Sequence, residues 1–159
     1  MTRMKKLLIV AVLVGASSTP ARAEVGIGLF IGEPFGLDLK LDIARRQAFD
    51  IVIGWNRVDG FDRDGHYGHF TYLVTPFWGY GNSINIPIRL GIGLALYDHS
   101  RFADETNVAV RVPLELGIRF HSVPLEIYGE IAVKVTFVDP GYDDPPADLD
   151  GGIGLRFYF

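Results

Sequence analysis

Residue types that a serine hydrolase needs occur together in one short segment of the chain. His99 and Ser100 are followed by Asp104 and Glu105, which together supply a general base, a nucleophile and an orienting carboxylate. Adjacent residues of an extended strand point to opposite faces, however, so the histidine and the serine are poorly placed to act on one another. We therefore expect no catalytic residue here and a protein that is not an enzyme.

A second cluster contains residue types that bind metal ions. Two histidines and two acids lie close together in the sequence: His66, His69, Asp62 and Asp64. Transition-metal sites usually need three or four converging ligands. The segment also departs from a calcium loop, because Gly60 stands at its first position and Thr71 at its twelfth. We expect neither a metal ion nor any other cofactor.

A third set of charged residues falls on the same face of each predicted strand, among the alternate positions that would point into a barrel. It contains six acids and six bases: Asp38, Asp42, Asp50, Glu115, Glu126, Glu130, Lys40, Arg89, Arg111, Arg119, Lys134 and Arg156. A selectivity ring would show an excess of one sign. If the strands close into a narrow barrel, equal numbers of acids and bases on its inner face indicate an interior plugged by ion pairs. The spacing of the strands predicts two such pairs, Arg89 with Glu115 and Lys40 with Asp50.

The elements that position these charges are eight stretches of alternating character. They cover residues 25–31, 36–43, 48–55, 69–75, 84–97, 107–120, 125–137 and 151–159. An even number of strands fits an all-β, antiparallel, up-and-down barrel. The connections alternate between shorter turns and longer loops, apart from the first hairpin, and this asymmetry is typical of eight-stranded transmembrane barrels.

One strand shows which face should contact lipid. Between residues 84 and 97, Ile and Leu alternate with a face of Gly, Ala, Asn, Pro, Arg and Tyr. A strand face in water would favour Thr, Lys and Glu over glycine, which weakens strands. The apolar face therefore faces lipid and the small and charged face lines the interior. A soluble lipocalin-like periplasmic carrier, with the faces inverted, is the topological alternative.

The start of the chain has the features of a secretory signal. Basic residues precede an apolar run, and Ala21 and Ala23 supply the small residues for cleavage. We expect residues 1–23 to be removed and residues 24–159 to form one outer-membrane domain. This domain holds 11 basic and 19 acidic residues, because four of the 15 basic residues lie in the leader. So acidic a domain is a poor partner for nucleic acid.

The whole of residues 24–159 resembles the small outer-membrane barrels of OmpA and OmpX type. The hairpin Gly32-Glu33-Pro34-Phe35-Gly36 is similar to a GEPxG turn of an OmpX-like family of bacterial surface proteins. The chain ends in a strand with aromatic Phe157 and Phe159. The resemblance implies a Gram-negative outer membrane, contact with its lipid and lipopolysaccharide, and a C-terminal signal for the barrel assembly machinery.

The predicted outer loops are strongly acidic. They carry Asp59, Asp62, Asp64, Asp98, Asp104, Glu105, Asp139, Asp143, Asp144, Asp148 and Asp150. A rigid barrel presents such loops outward, where they could bind a host or surface ligand. We therefore expect a structural, adhesive or surface-interaction role. The alternatives are an enzyme that modifies lipid A, of the acyl hydrolase type, and the soluble carrier.

Overall fold

Eight strands form a closed antiparallel barrel. The computed structural model describes residues 24–57, 64–98, 106–138 and 147–159. The strands are β1 Glu24–Glu33, β2 Phe35–Ala44, β3 Gln47–Arg57, β4 Asp64–Tyr80, β5 Ile84–Asp98, β6 Thr106–Phe120, β7 Leu125–Val138 and β8 Ala147–Tyr158. Each strand pairs with the next in sequence, and β8 pairs with β1. The all-β barrel predicted from the sequence is confirmed.

The alternation of residue types becomes a difference between the inside and the outside of the barrel. On β5, Ile92 points outward with 59% of its surface exposed, whereas Arg89 points inward and is buried. Leu94 and Leu96 are likewise exposed, while Ala95 between them is fully buried. On this strand the aliphatic side chains thus lie outside and the charged one inside, the reverse of a water-soluble barrel. The interior also holds buried apolar side chains, among them Phe30, Val52 and Leu73. Among the described residues, no helix is long and apolar enough to span a membrane.

The two ends of the barrel differ in their connections. At one end, which we call the turn end, lie the β2–β3, β4–β5 and β6–β7 hairpins together with Glu24 and Phe159. At the other, the loop end, β1 and β2 are joined at Pro34. The segments 58–63, 99–105 and 139–146, which connect the other strands at the loop end, lie outside the described residues.

Strand β4 is longer than the sequence predicts. It runs from Asp64 to Tyr80, against the expected 69–75, so His66 belongs to the strand and not to a loop. Its pairing with β5 shifts between Val74 and Phe77. This irregularity accommodates Pro76, which has no N–H to donate to the ladder.

The barrel closes where β1 and β8 approach through glycine. Gly28 pairs with Arg156 across this seam. A Cβ on Gly28 would lie 1.8 Å from the carbonyl oxygen of Leu155, which is far inside van der Waals contact. Only a residue without a side chain therefore allows β1 to approach β8 this closely.

Candidate functional site

The interior is organised around the guanidinium of Arg156. This group is fully buried and donates hydrogen bonds to Asp38 (Nε to Oδ2, 2.6 Å) and Asp50 (Nη2 to Oδ1, 2.7 Å). Its Nη1 donates to Glu115 at 2.9 Å and to Glu126 at 3.4 Å. The four acids come from β2, β3, β6 and β7, so one cation on β8 joins four other strands.

Arg89 shares two of these acids. Its Nη1 and Nη2 donate to the two oxygens of Glu126 at 2.8 and 2.7 Å, and Nη1 also bonds Glu115. Arg89, Glu115 and Glu126 are all buried. Paired, bidentate geometry of this kind is the strongest form of buried ion pair. The two arginines and their acids fill the middle of the lumen.

A second group lies nearer the loop end. Arg111 bonds Glu130, and its Nη1 lies 3.0 Å from Thr71 Oγ1 and 3.1 Å from His69 Nε2. The same histidine nitrogen is 3.2 Å from Asp50 Oδ2. His69, placed at a loop boundary by the sequence, is a buried lumen residue of β4. The one signal in the sequence for a lumen position of His69 is its place directly before the apolar Phe70, which points outward.

Lysines 40 and 134 each have an acidic neighbour near one end of the barrel. Lys134 Nζ lies 2.8 Å from Asp150 Oδ1. Lys40 Nζ lies 2.6 Å from Asp42 Oδ1 and donates to Tyr158 Oη at 3.2 Å. Lys40 and Asp50 are opposite one another in the ladder, but the expected ion pair between them is not formed. The Asp50 carboxylate contacts Arg156 and His69 instead, each through one of its two oxygens.

Arg119 on β6 contacts the first and last strands of the barrel, β1 and β8. Its guanidinium bonds Glu24, the first described residue, and lies 3.9 Å from the ring centre of Tyr158. Asp42 is 3.8 Å away. Glu24 did not stand out in the sequence, because it falls immediately after the expected leader. A cavity of about 380 Å³ opens here at the turn end, and the bonded Arg89 forms part of its wall.

One polar pair lies on the outer surface of the barrel instead of the lumen. His66 Nδ1 is 3.1 Å from Asp98 Oδ2. The two residues lie at the loop end, one position beyond Tyr67 and Tyr97, which pair across β4 and β5. Because both tyrosines are buried in the interior, the alternation of side chains along a strand points His66 and Asp98 away from it. The His66 side chain is 84% exposed. In the ladder between β3 and β4, His66 is paired with Trp55.

The remaining sequence candidates divide into two sets. His99, Ser100, Asp104, Glu105 and Asp62 lie outside the described residues. Phe157 and Phe159 lie on the outward face of the barrel wall at the turn end. Within the ranges that the structure describes, no group of three or more His, Cys, Asp or Glu side chains could hold a metal ion.

Comparison with known proteins identifies the fold of this chain but no family. No protein-family model matches the sequence, and no curated protein matches it. A solved structure does match, "Crystal structure of the outer membrane enzyme PagL", with a TM-score of 0.58 and 14% identity. The match covers 85% of this chain and 99% of the other.

The match corrects one expectation. The sequence led us to expect that the chain is not an enzyme, because its candidate hydrolase residues have unsuitable spacing. That inference is wrong, since an outer membrane enzyme is built on the same barrel. At this identity the likeness shows the fold alone: the chain folds as an eight-stranded barrel of outer-membrane type.

Proposed function

We propose that this chain is a closed barrel of the Gram-negative outer membrane that works at its surface and not through its lumen. The observation that supports this proposal is a network of ion pairs that joins acids and bases across the lumen. It contains Arg89, Arg156, Asp38, Glu115 and Glu126. Paired charges leave no ring of one sign to attract an ion. Residues 1–23 would direct export and then be removed.

The outward face suits contact with outer-membrane lipid and lipopolysaccharide. Large apolar side chains are exposed around the barrel, including Ile27, Leu37, Ile53, Ile92, Leu116, Ile131 and Ile153. Exposed apolar surface of this extent is unfavourable in water and favourable in a bilayer. Phe157 and Phe159, exposed on β8 and at the end of the chain, would be read by the barrel assembly machinery.

Single-channel recording tests the closed lumen. Full-length protein folded in detergent is added to planar bilayers in about 1 M salt, where the Debye length is about 3 Å. A general porin under the same conditions shows that an open barrel is detected. We expect no stepwise conductance from this chain. Steps of porin size would overturn the proposal.

The loop end would carry the interaction with other molecules. Its described acids include Asp98 and Asp148, and the GEPxG hairpin at the same end is the basis for proposing an OmpX-like surface protein. Its partner would be a host or surface ligand. Replacing residues 58–63, 99–105 and 139–146 with Gly-Ser segments should abolish binding of cells to that ligand and leave the barrel folded. Unchanged binding would contradict this role.

A second candidate is an enzyme that acts on outer-membrane lipid, including lipid A. The observation that favours it is the likeness to the outer membrane enzyme PagL. If catalysis occurs at the outer face of the membrane, its residues must face the lipid or the loop end, because the bonded charges of Arg89, Arg156 and their acids cross the lumen. Release of an acyl chain from lipid by the purified protein is the test.

A further inference from the structure

The pair of His66 and Asp98 has the arrangement of a catalytic base and its orienting carboxylate. Asp98 Oδ2 accepts from His66 Nδ1 at 3.1 Å. A histidine whose Nδ1–H is held by a carboxylate presents the lone pair of Nε2 as a base. His66 is 84% exposed on its side chain, so a substrate outside the barrel can reach it.

An apolar trough lies directly beside this pair on the same face. Gly68 follows His66 two residues along β4, and its neighbours in the ladder are Ile53 on β3 and Leu96 on β5. A Cβ on Gly68 would have one described heavy atom within 4 Å, the carbonyl oxygen of Val52 at 3.8 Å. The missing side chain therefore leaves an open groove between two exposed aliphatic residues, Ile53 and Leu96.

The position of the pair on the barrel wall matches the ester region of a lipid. Trp55 stands next to His66 in the ladder and is 50% exposed. Tryptophan on an outward face favours the boundary between hydrocarbon and water. Towards the middle of the barrel the same face becomes apolar, with Phe70 exposed beyond Gly68. A lipid with its acyl chain along the trough would place its ester group near His66.

We propose that His66 and Asp98 hydrolyse ester bonds of acylated lipids in the outer leaflet, which rests on the second candidate function above. Water is the nucleophile. Its oxygen attacks the ester carbonyl carbon while its proton passes to His66 Nε2. The tetrahedral intermediate then breaks its bond to the alcohol oxygen, which takes the proton back from Nε2. The products are a free fatty acid and the lipid alcohol, and Asp98 acts as the positioning residue.

The test uses full-length protein folded in detergent and mixed micelles of diacyl phosphatidylethanolamine. Released fatty acid is measured by mass spectrometry. We expect release by the unaltered chain and a loss of about 100-fold or more in His66→Gln, as removal of a general base produces. His121→Gln is the matched control, because His121 is an exposed histidine in the β6–β7 turn at the opposite end. It should keep full activity.

Two further variants separate catalysis from a structural role. Asp98→Asn should lower the maximal rate more than tenfold with little change in KM, and Asp98→Glu should recover part of it. Gly68→Leu should lower release from long-chain esters and spare butyrate esters, because it fills the trough and not the pair. Unaltered mobility of unheated protein on gels shows that each variant is folded.

Each outcome has a distinct meaning. Release that persists in His66→Gln overturns the assignment of this pair and leaves the enzymatic candidate in place. Loss of long-chain and butyrate hydrolysis together in Gly68→Leu overturns the acyl trough. If the unaltered chain releases no fatty acid, both the enzymatic candidate and the assignment of His66 and Asp98 are overturned. The proposal of a closed lumen is tested separately, by single-channel conductance.

Discussion

Arg156 is the side chain whose loss should cost the barrel most. It is buried and contacts Asp38, Asp50, Glu115 and Glu126. In Arg156→Met these acids lose a shared cation while remaining inside the lumen. We expect the free energy of unfolding to fall by about 3 to 5 kcal/mol. Urea titration of the protein in lipid vesicles, followed by tryptophan fluorescence, measures the change.

Arg45→Met is the matched control, because Arg45 is exposed in the β2–β3 turn. Its substitution should change the unfolding free energy by less than about 0.5 kcal/mol. Equal losses in the two variants would mean that the lumen network does not stabilise the fold.

At this scale the sequence predicts which residues line the lumen and one of the two expected ion pairs, Arg89 with Glu115, which the structure contains. It does not predict the partners of Asp50. Alternation predicts that Lys40 and Asp50 both point inside, and the tight turn after the second strand sets them opposite one another, as the ladder confirms. In the structure Asp50 bonds Arg156, which is 106 positions away in the chain. Such contacts depend on how the closed barrel brings distant strands together, and no local pattern records that. Tyr128, which donates to Asp38, was missed for the same reason.

Among the strand pairs, β1 and β8 leave the least room for a side chain at a glycine position. Gly28→Val would place side-chain atoms against the Leu155 carbonyl, where even a Cβ has only 1.8 Å. Since this contact is with backbone, it cannot be relieved by a rotamer change. We expect the variant to lose the compact, fast-migrating form of unheated protein in gel electrophoresis.

A second glycine on the barrel provides the comparison. Gly68→Ala adds one methyl where the nearest described atom is 3.8 Å away, so the compact form should persist. If both variants migrate like the unaltered chain, the close approach of β1 and β8 is not required for closure.

Strand boundaries show where sequence patterns stop being informative. The expected fourth strand ended before Pro76, because proline interrupts a ladder. The structure continues β4 to Tyr80 by shifting its register with β5. A tertiary neighbour thus overrides a local signal. The predicted number of eight strands is confirmed, since it depends on many alternating residues and not on one boundary.

For the whole molecule, the apolar exterior and charged interior follow from the sequence, but the presence or absence of catalysis does not. Period-two alternation and glycine on the polar face were enough to infer a barrel with lipid outside. The expectation of a protein without catalysis failed because one fold carries many functions. The outward His66–Asp98 pair was not recognised from sequence, since its two members are 32 residues apart and meet only across the β4–β5 ladder.

The measurement that tests the orientation of the barrel most directly is spin-label accessibility on its outer face. The chain has no cysteine, so single cysteines at Ile92, Ile131 and Ile153 can be labelled without other changes. All three side chains are about 60% exposed in the structure. In protein folded into vesicles, we expect frequent collisions with oxygen and rare collisions with a water-soluble nickel complex. Frequent nickel collisions at all three positions would place this face in water and contradict the membrane barrel.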